Sequence, residues 1–163
     1  MKIFYYEAAK RKDHIVDGGY YYHSDYVLGF GNDTAADETE VTVPQAIARI
    51  MLAGPVDGSD QPLSVADAKV QAQTFLAAHG ITVVAQDLVD AEPLITELIL
   101  NKVREVRAPL LLNSDWTQLN DTPLENEVVA QWTTYRQHIR DLPATFNTVL
   151  RYIDVIWPDA PSA

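Results

Sequence analysis

Short runs of aromatic and β-branched residues occupy the first 31 positions of the chain. The runs are Ile3-Phe4-Tyr5-Tyr6, Tyr20-Tyr21-Tyr22 and Tyr26-Val27-Leu28. Runs of this kind, when turn residues separate them, favour short antiparallel strands. We therefore predict a small antiparallel sheet with a turn at residues 17–19. The acid-rich residues 32–40 are predicted to form a solvated loop.

Helical patterns begin after this loop. Thr42-Val43-Pro44-Gln45 combines a capping hydroxyl with a proline in the first turn, so it predicts a short helix that ends before Gly54-Pro55. Ser64 predicts the start of a second helix, and His79-Gly80 its end. The β-branched residues 81–85 are predicted to form a strand that pairs with the N-terminal region.

Two longer apolar stripes follow at three- and four-residue steps. The first stripe consists of Ile95, Ile99, Val103, Val106 and Leu110, and the second of Val128, Trp132, Tyr135, Ile139 and Leu142. They predict a helix over residues 90–107, ended or kinked at Pro109, and another over residues 125–142. The heptad-like spacing of the second stripe fits a helical hairpin with the first, or pairing with a partner's helix.

These elements predict an α+β protein with two parts. Residues 56–62 are turn-forming and mark the boundary. Residues 1–62 form a small antiparallel β-rich subdomain with short helices. Residues 63–163 form a mainly helical C-terminal module built around the helical hairpin.

Charge and composition exclude several classes of protein. Twelve Lys and Arg residues against 23 Asp and Glu residues give a net charge of −11, the wrong sign for neutralising nucleic-acid phosphates. Charged residues interrupt the most apolar region, residues 94–112, so we expect no membrane span. The chain has no cysteine and no apolar run at its N-terminus, so we expect a cytoplasmic protein without disulfides or thiolate metal sites.

The sequence contains no residue pattern that is typical of a catalytic, cofactor or metal site. The four histidines, His14, His23, His79 and His138, do not share a three- or four-residue helical spacing. Neither a nucleophile elbow nor a glycine-rich phosphate loop is present. Paired carboxylates lie in acid-rich, solvated stretches, which do not raise a pKa as general-acid catalysis requires. We therefore expect no catalytic residue, no cofactor and no metal site.

Two sets of residues are candidates for binding. Arg136 and Arg140 share a helix face beside Asp141, and they either contact carboxylates or carbonyls at an interface or pair with acids of the same chain such as Asp115. Trp132 belongs to the predicted core. Trp116 and Trp157 either fold back over the hairpin or contact a partner. The N-terminal tyrosines either form a recognition surface or pack in a small core.

The C-terminal motifs resemble a known family. They are Ser114-Asp115-Trp116-Thr117-Gln118-Leu119, Pro123-Leu124, Trp132, Tyr135-Arg136-Gln137, Arg140-Asp141-Leu142-Pro143 and Trp157-Pro158. In this order, over about residues 104–158, they resemble the C-terminal module of phage tail-fibre assembly proteins, which are tail assembly chaperones of tailed phages and prophages.

The resemblance implies a non-enzymatic helper that works in the host cytoplasm. It binds the distal, C-terminal end of a tail-fibre protein and promotes folding and trimerisation of that protein. Some helpers leave the fibre, whereas others stay on its tip in the virion. The motif residues either contact the partner, or a second copy of the chain, or lock the hairpin internally; these residues are Ser114, Asp115, Trp116, Thr117, Gln118, Trp132, Tyr135, Arg136, Arg140, Asp141 and Trp157. If these residues lock the hairpin internally, Ser114 caps the following turn and Asp115 accepts from Arg136 or Arg140.

Two other functions remain open from the sequence. One is a permanent structural component of the fibre tip or baseplate, which contacts a receptor through the N-terminal tyrosines. The other is a host protein with an unrelated enzymatic role.

Overall fold

The computed structural model describes residues 1–7, 21–22, 26–31, 39–54, 58–59, 61–146 and 151–162. The predicted turn at residues 17–19 and residues 32–38 of the predicted acidic loop lie outside this part of the chain. The chain divides into two compact units, Met1–Ile95 and Thr96–Ala163. The architecture is α+β, as predicted.

An antiparallel sheet lies in the first unit. Within the described residues its strands are β1 (Lys2–Glu7), β2 (Tyr21–Tyr22), β3 (Tyr26–Gly31) and β4 (Thr39–Val41), in the order β2-β3-β1-β4. Phe4 pairs with Gly29, where the Phe4 ring occupies the space that a side chain on Gly29 would need. The sheet was predicted. Strand β4 corrects the prediction of a loop through residue 40, because its residues pair with β1.

Local capping signals set the first two helices. Helix α1 (Val43–Leu52) begins with a capping box, in which the Thr42 N–H donates to Gln45 Oε1 at 2.9 Å and the Gln45 N–H donates to Thr42 Oγ1 at 3.4 Å. Helix α2 (Val65–Ala78) begins where Ser64 Oγ accepts from the Asp67 N–H at 3.1 Å. Gly80 follows α2 with a left-handed φ of 74°, which glycine adopts without strain. Both helix starts were predicted.

The predicted strand at residues 81–85 is wrong. Residues 81–84 have no regular secondary structure, and helix α3 (Ala85–Asn113) begins at Ala85. Local bonds explain the outcome, because the Val84 N–H donates to Asp87 Oδ2 at 2.9 Å and the Asp87 N–H donates to the Val84 carbonyl at 3.1 Å. This pair of bonds starts a helix where the β-branched composition favoured a strand.

The third helix does not end at Pro109, because α3 continues past it to Asn113, and the alternative of a kink there stays a prediction. The last carbonyls of a helix need partners from outside it. Here the Ser114 hydroxyl lies 2.8 Å from the Leu110 carbonyl, and Arg136 donates to the Leu111 carbonyl at 2.7 Å. A residue 25 positions away therefore supports the end of α3, which the local sequence does not show.

Helix α4 (Asn126–Asp141) forms a hairpin with the end of α3 in the second unit. Arg107 donates to the Arg140 carbonyl and Arg136 to the Leu111 carbonyl. A step of four residues forward along α3 thus matches a step of four back along α4, so the two segments are antiparallel. Short 3-10 turns occupy Asp115–Gln118, Leu142–Thr145 and Tyr152–Asp154.

Buried apolar side chains follow the predicted stripes. In the first unit they include Leu28, Ile47, Ile50, Met51, Leu76 and Ile95, and in the second Ile99, Val103, Tyr135, Ile139 and Leu142. Helix α2 packs against α1, so residues 63–95 lie in the first compact unit rather than with the C-terminal hairpin. The predicted division into two domains, residues 1–62 and residues 63–163, stays a prediction. Within the described residues, no helix has both the length and the hydropathy to cross a membrane.

Candidate functional site

Arg136 is the centre of a polar contact between α4 and the end of α3. Arg136 is 5% exposed as a whole residue. One terminal nitrogen, Nη1, donates to the Leu111 carbonyl at 2.7 Å and to Ser114 Oγ at 2.6 Å. The other, Nη2, donates to Asp115 Oδ1 at 2.6 Å. We call Leu111, Ser114, Asp115 and Arg136 the arginine cluster.

Ser114 has a different role from the predicted cap. Its hydroxyl makes no capping bond to the turn that follows it. The hydroxyl instead donates toward the Leu110 and Leu111 carbonyls, at 2.8 and 3.1 Å, and accepts from Arg136. Ser114 therefore fixes the end of α3 and orients the guanidinium.

The 3-10 turn Asp115–Gln118 is bonded to α4 at a second point. Buried Thr117 donates through Oγ1 to the Ser114 carbonyl at 2.7 Å. Gln118 donates to Thr117 Oγ1 at 2.9 Å and accepts from Thr133 Oγ1 at 3.0 Å. The side chains of this turn thus reach α4 at both Thr133 and Arg136.

The electrostatics of the cluster are asymmetric. The Arg136 side chain is 6% exposed, whereas the Asp115 side chain is 59% exposed. A buried guanidinium is costly unless its donors are bonded, so the carbonyl, the hydroxyl and the carboxylate are all needed to hold it. Within the described residues, buried Arg136 Nε and Trp132 Nε1 have no hydrogen-bond partner. The cluster therefore requires one arrangement of the turn.

The remaining predicted residues lie in several places. The Trp132 ring meets Tyr135 edge-on at a centroid distance of 5.5 Å, but Trp132 is half-buried and does not belong to the fully buried core. Arg140 is exposed, and it is Arg136 that pairs with Asp115. Asp141 accepts from Gln137 at 2.9 and 3.0 Å. Trp157 is half-buried. Among the described residues, the side chains of Trp132, Arg140, Asp141 and Trp157 make no hydrogen bond to the arginine cluster.

A separate ion pair lies near the C-terminus, where Arg151 Nη2 and Asp154 Oδ1 are 2.6 Å apart. Hydrogen bonding to Asp154 raises the pKa of Arg151. In the first unit, the guanidinium of Arg49 lies 4.0 Å above the ring of half-buried Tyr5, which gives this N-terminal tyrosine an intramolecular contact. The position of Tyr5 therefore fits packing within the chain.

Two residues that bond between the 3-10 turn, the end of α3 and α4 were not predicted from the sequence. Thr133 lies three positions before Arg136, on the same face of α4, so helical spacing was a signal for it. Leu111 contributes its backbone carbonyl, and no side-chain pattern marks such a role.

The outer side of the same turn is apolar. Trp116 is 43% exposed, Leu112 70% and Leu119 57%. We call these residues the apolar strip. The turn thus buries Ser114 and Thr117 and exposes large apolar side chains.

The arrangement suits binding. Both terminal nitrogens of Arg136 bond to the other members of the cluster, and the apolar strip is exposed. In the part of the chain that the structure describes, no cluster of His, Asp or Glu could hold a metal ion. Fold and site thus define a small α+β protein whose C-terminal hairpin carries a rigid turn with an apolar outer side.

Residues 100–162 match the sequence model of the phage tail assembly chaperone protein family. The match confirms the resemblance and includes the whole arginine cluster, the 3-10 turn and α4. Searches of curated proteins and of solved structures gave no match. The match supports a chaperone role in tail assembly.

Proposed function

We propose that this protein is a tail-fibre assembly chaperone. It binds the distal, C-terminal end of a tail-fibre protein in the host cytoplasm and promotes folding and trimerisation of that protein. The family match over residues 100–162 is the observation that carries the proposal. A fibre tip in which three chains pair strands non-locally folds slowly and exposes strand edges, so a bound helper suppresses aggregation.

The motif residues divide into two roles in this proposal. Ser114, Asp115, Thr117 and Arg136 lock the hairpin, because their side chains bond within the chain. Gln118 supports the lock by accepting from Thr133 of α4, and the rings of Trp132 and Tyr135 pack against each other on that helix.

The other motif residues are assigned to partner binding. Trp116, Arg140 and Asp141 are exposed, and Trp157 is half-buried. Their side chains are therefore available to a tail-fibre protein.

Co-expression tests the proposal. The tail-fibre protein encoded in the same phage or prophage is produced with and without this chain, and its soluble trimer is measured on a gel without heating. We expect trimer yield to rise when the chain is present, and the two proteins to co-purify. Equal trimer yield without the chain would contradict a chaperone role.

Mass spectrometry of purified particles then separates release from retention. A chaperone that leaves is found with the fibre protein in cells but not in virions. Stoichiometric presence in virions would instead favour a permanent component of the fibre tip.

A further inference from the structure

The apolar strip lies along one continuous helical path. Leu112 is in the last turn of α3, Trp116 follows four positions later, and Leu119 three positions after that. The Leu119 N–H donates to the Trp116 carbonyl at 3.3 Å, so the path is still turning at that point. Residues at these spacings share one side of a helical segment. Ser114 and Thr117, which lie between them, are buried on the other side.

Hydrogen bonds to α4 anchor the turn that carries the strip. Arg136 and Thr133 of α4 bond the inner side of the turn through Ser114, Asp115 and Gln118. Large exposed apolar groups on a well-anchored segment indicate an interaction site. A surface that is already ordered loses little conformational entropy on binding.

The charge around the strip selects the partner. Between residues 108 and 135 the chain contains four acidic residues and no Lys, Arg or His. These acids are Asp115, Asp121, Glu125 and Glu127, and all four are exposed. The Asp115 carboxylate is paired with buried Arg136, so the rim consists of the other three acids, Asp121, Glu125 and Glu127. Asp121 lies in a turn in which the Thr122 N–H donates to the Leu119 carbonyl at 3.2 Å, so a segment that covers Leu119 meets a negative rim that begins at Asp121.

We propose that the apolar strip docks a segment of the tail-fibre protein in which apolar residues are flanked by Lys or Arg. This inference rests on the proposed function and specifies the chemistry of the partner. Complementary charge steers such a segment to the strip and disfavours an acidic one. A second copy of this chain fits poorly, because it carries the same rim and the same net charge of −11.

A matched pair of peptides tests the charge requirement. Both are leucine-rich and of equal length, one with lysines and the other with glutamates at the same positions. Binding of each labelled peptide to the full chain is measured by fluorescence anisotropy at low and high salt. We expect the lysine peptide to bind at least about tenfold more tightly, and added salt to weaken it. Equal binding of the two peptides would overturn the proposal.

Paired variants locate the site. Leu119→Ser and Asp121→Lys should each weaken the lysine peptide about tenfold. Two controls in the same unit should change it less than about twofold: Ile156→Ser, which alters an isoleucine that is 84% exposed, and Glu97→Lys, which alters the net charge as Asp121→Lys does. Equal weakening by Glu97→Lys would show non-specific attraction and overturn the proposal. Unchanged thermal unfolding confirms that each variant folds.

Sedimentation tests the competing occupant. A concentration-dependent dimer that Trp116→Ser abolishes would place a second copy on the strip and overturn the proposal. We expect sedimentation of the wild-type chain without peptide to be independent of concentration.

Co-purification separates this inference from the proposed function. If the wild-type chain captures the fibre protein and Leu119→Ser captures it equally, the strip proposal fails and the chaperone proposal stands. If the wild-type chain captures no fibre protein, the chaperone proposal fails, and the fibre segment proposed for the strip is overturned with it. We expect capture by the wild type and its loss in Leu119→Ser.

Discussion

The two compact units bury different kinds of side chain. Among the described residues, the buried side chains of the first unit are apolar. The second unit buries Ser114, Thr117 and Arg136 in addition to its apolar stripe. One unit is thus stabilised mainly by apolar packing, and the other also by directed hydrogen bonds.

This difference has consequences for what each unit specifies. Apolar packing depends on volume and shape, and it tolerates substitutions that conserve both. A buried guanidinium with a carbonyl, a hydroxyl and a carboxylate around it accepts few other geometries. The second unit therefore fixes the conformation of one turn, and with it the position of the exposed Trp116.

The largest expected effect is in the apolar core of the first unit. Leu76 is fully buried, so Leu76→Ala should lower the free energy of unfolding by about 2–5 kcal/mol through lost burial and a cavity. Urea unfolding followed by circular dichroism measures it. Leu76→Met, which conserves volume, should cost less than about 1.5 kcal/mol. Similar losses in both variants would show that this core depends on more than apolar volume.

The second unit should respond even to a substitution that keeps the charge. Arg136→Lys should lower the free energy of unfolding by about 2–4 kcal/mol, because an ammonium cannot span Leu111, Ser114 and Asp115. The tryptophans all lie in this unit, so their fluorescence follows its unfolding. The control is Arg140→Lys on the exposed side of the same helix, expected within about 0.5 kcal/mol. A tolerated Arg136→Lys would contradict the directional character of the cluster.

The sheet of the first unit has no room for a larger side chain at one position. A Cβ on Gly29 would overlap the ring of buried Phe4, so Gly29→Ala should cost about 1–3 kcal/mol. Gly58 is the matched control, because a Cβ there meets nothing within 4 Å and Gly58→Ala should change stability little. Equal urea midpoints for the two variants would mean that the strand pair shifts to accept the methyl group.

Local patterns explain how much of the molecule could be predicted from sequence. Thr42, Ser64 and Gly80 act on neighbouring residues, and the apolar stripes repeat along one helix, so the sheet, the starts of α1 and α2 and the hairpin were predictable, whereas the start of α3 was not. The extension of α3 past Pro109 depends on Arg136, which lies beyond a turn and most of another helix. The strand predicted at residues 81–85 failed because Asp87 bonds Val84 and begins α3 there.

The candidate site was also predicted in part, and again the contacts that depend on distant residues were missed. The pairing of Arg136 with Asp115 was one of the predicted alternatives, because opposite charges limit the choices. The bonds of Ser114 were mispredicted, since a hydroxyl can cap the turn after it or bond the helix before it. The choice between them is set by Arg136, whose Nη1 takes the hydroxyl oxygen as acceptor.

The smallest expected effect compares the two sides of one turn. Trp116 is 43% exposed, whereas its neighbour Thr117 is fully buried and donates to the Ser114 carbonyl. Thr117→Val should cost about 1–3 kcal/mol, because it removes a buried hydroxyl that donates to that carbonyl and accepts from Gln118. Trp116→Ala should cost about 1–2 kcal/mol, less than the loss of a fully buried tryptophan, since 43% of the residue is already in water. A loss above about 2 kcal/mol for Trp116→Ala would assign Trp116 to the internal lock, whereas lost partner binding at an unchanged melting temperature assigns it to the interface.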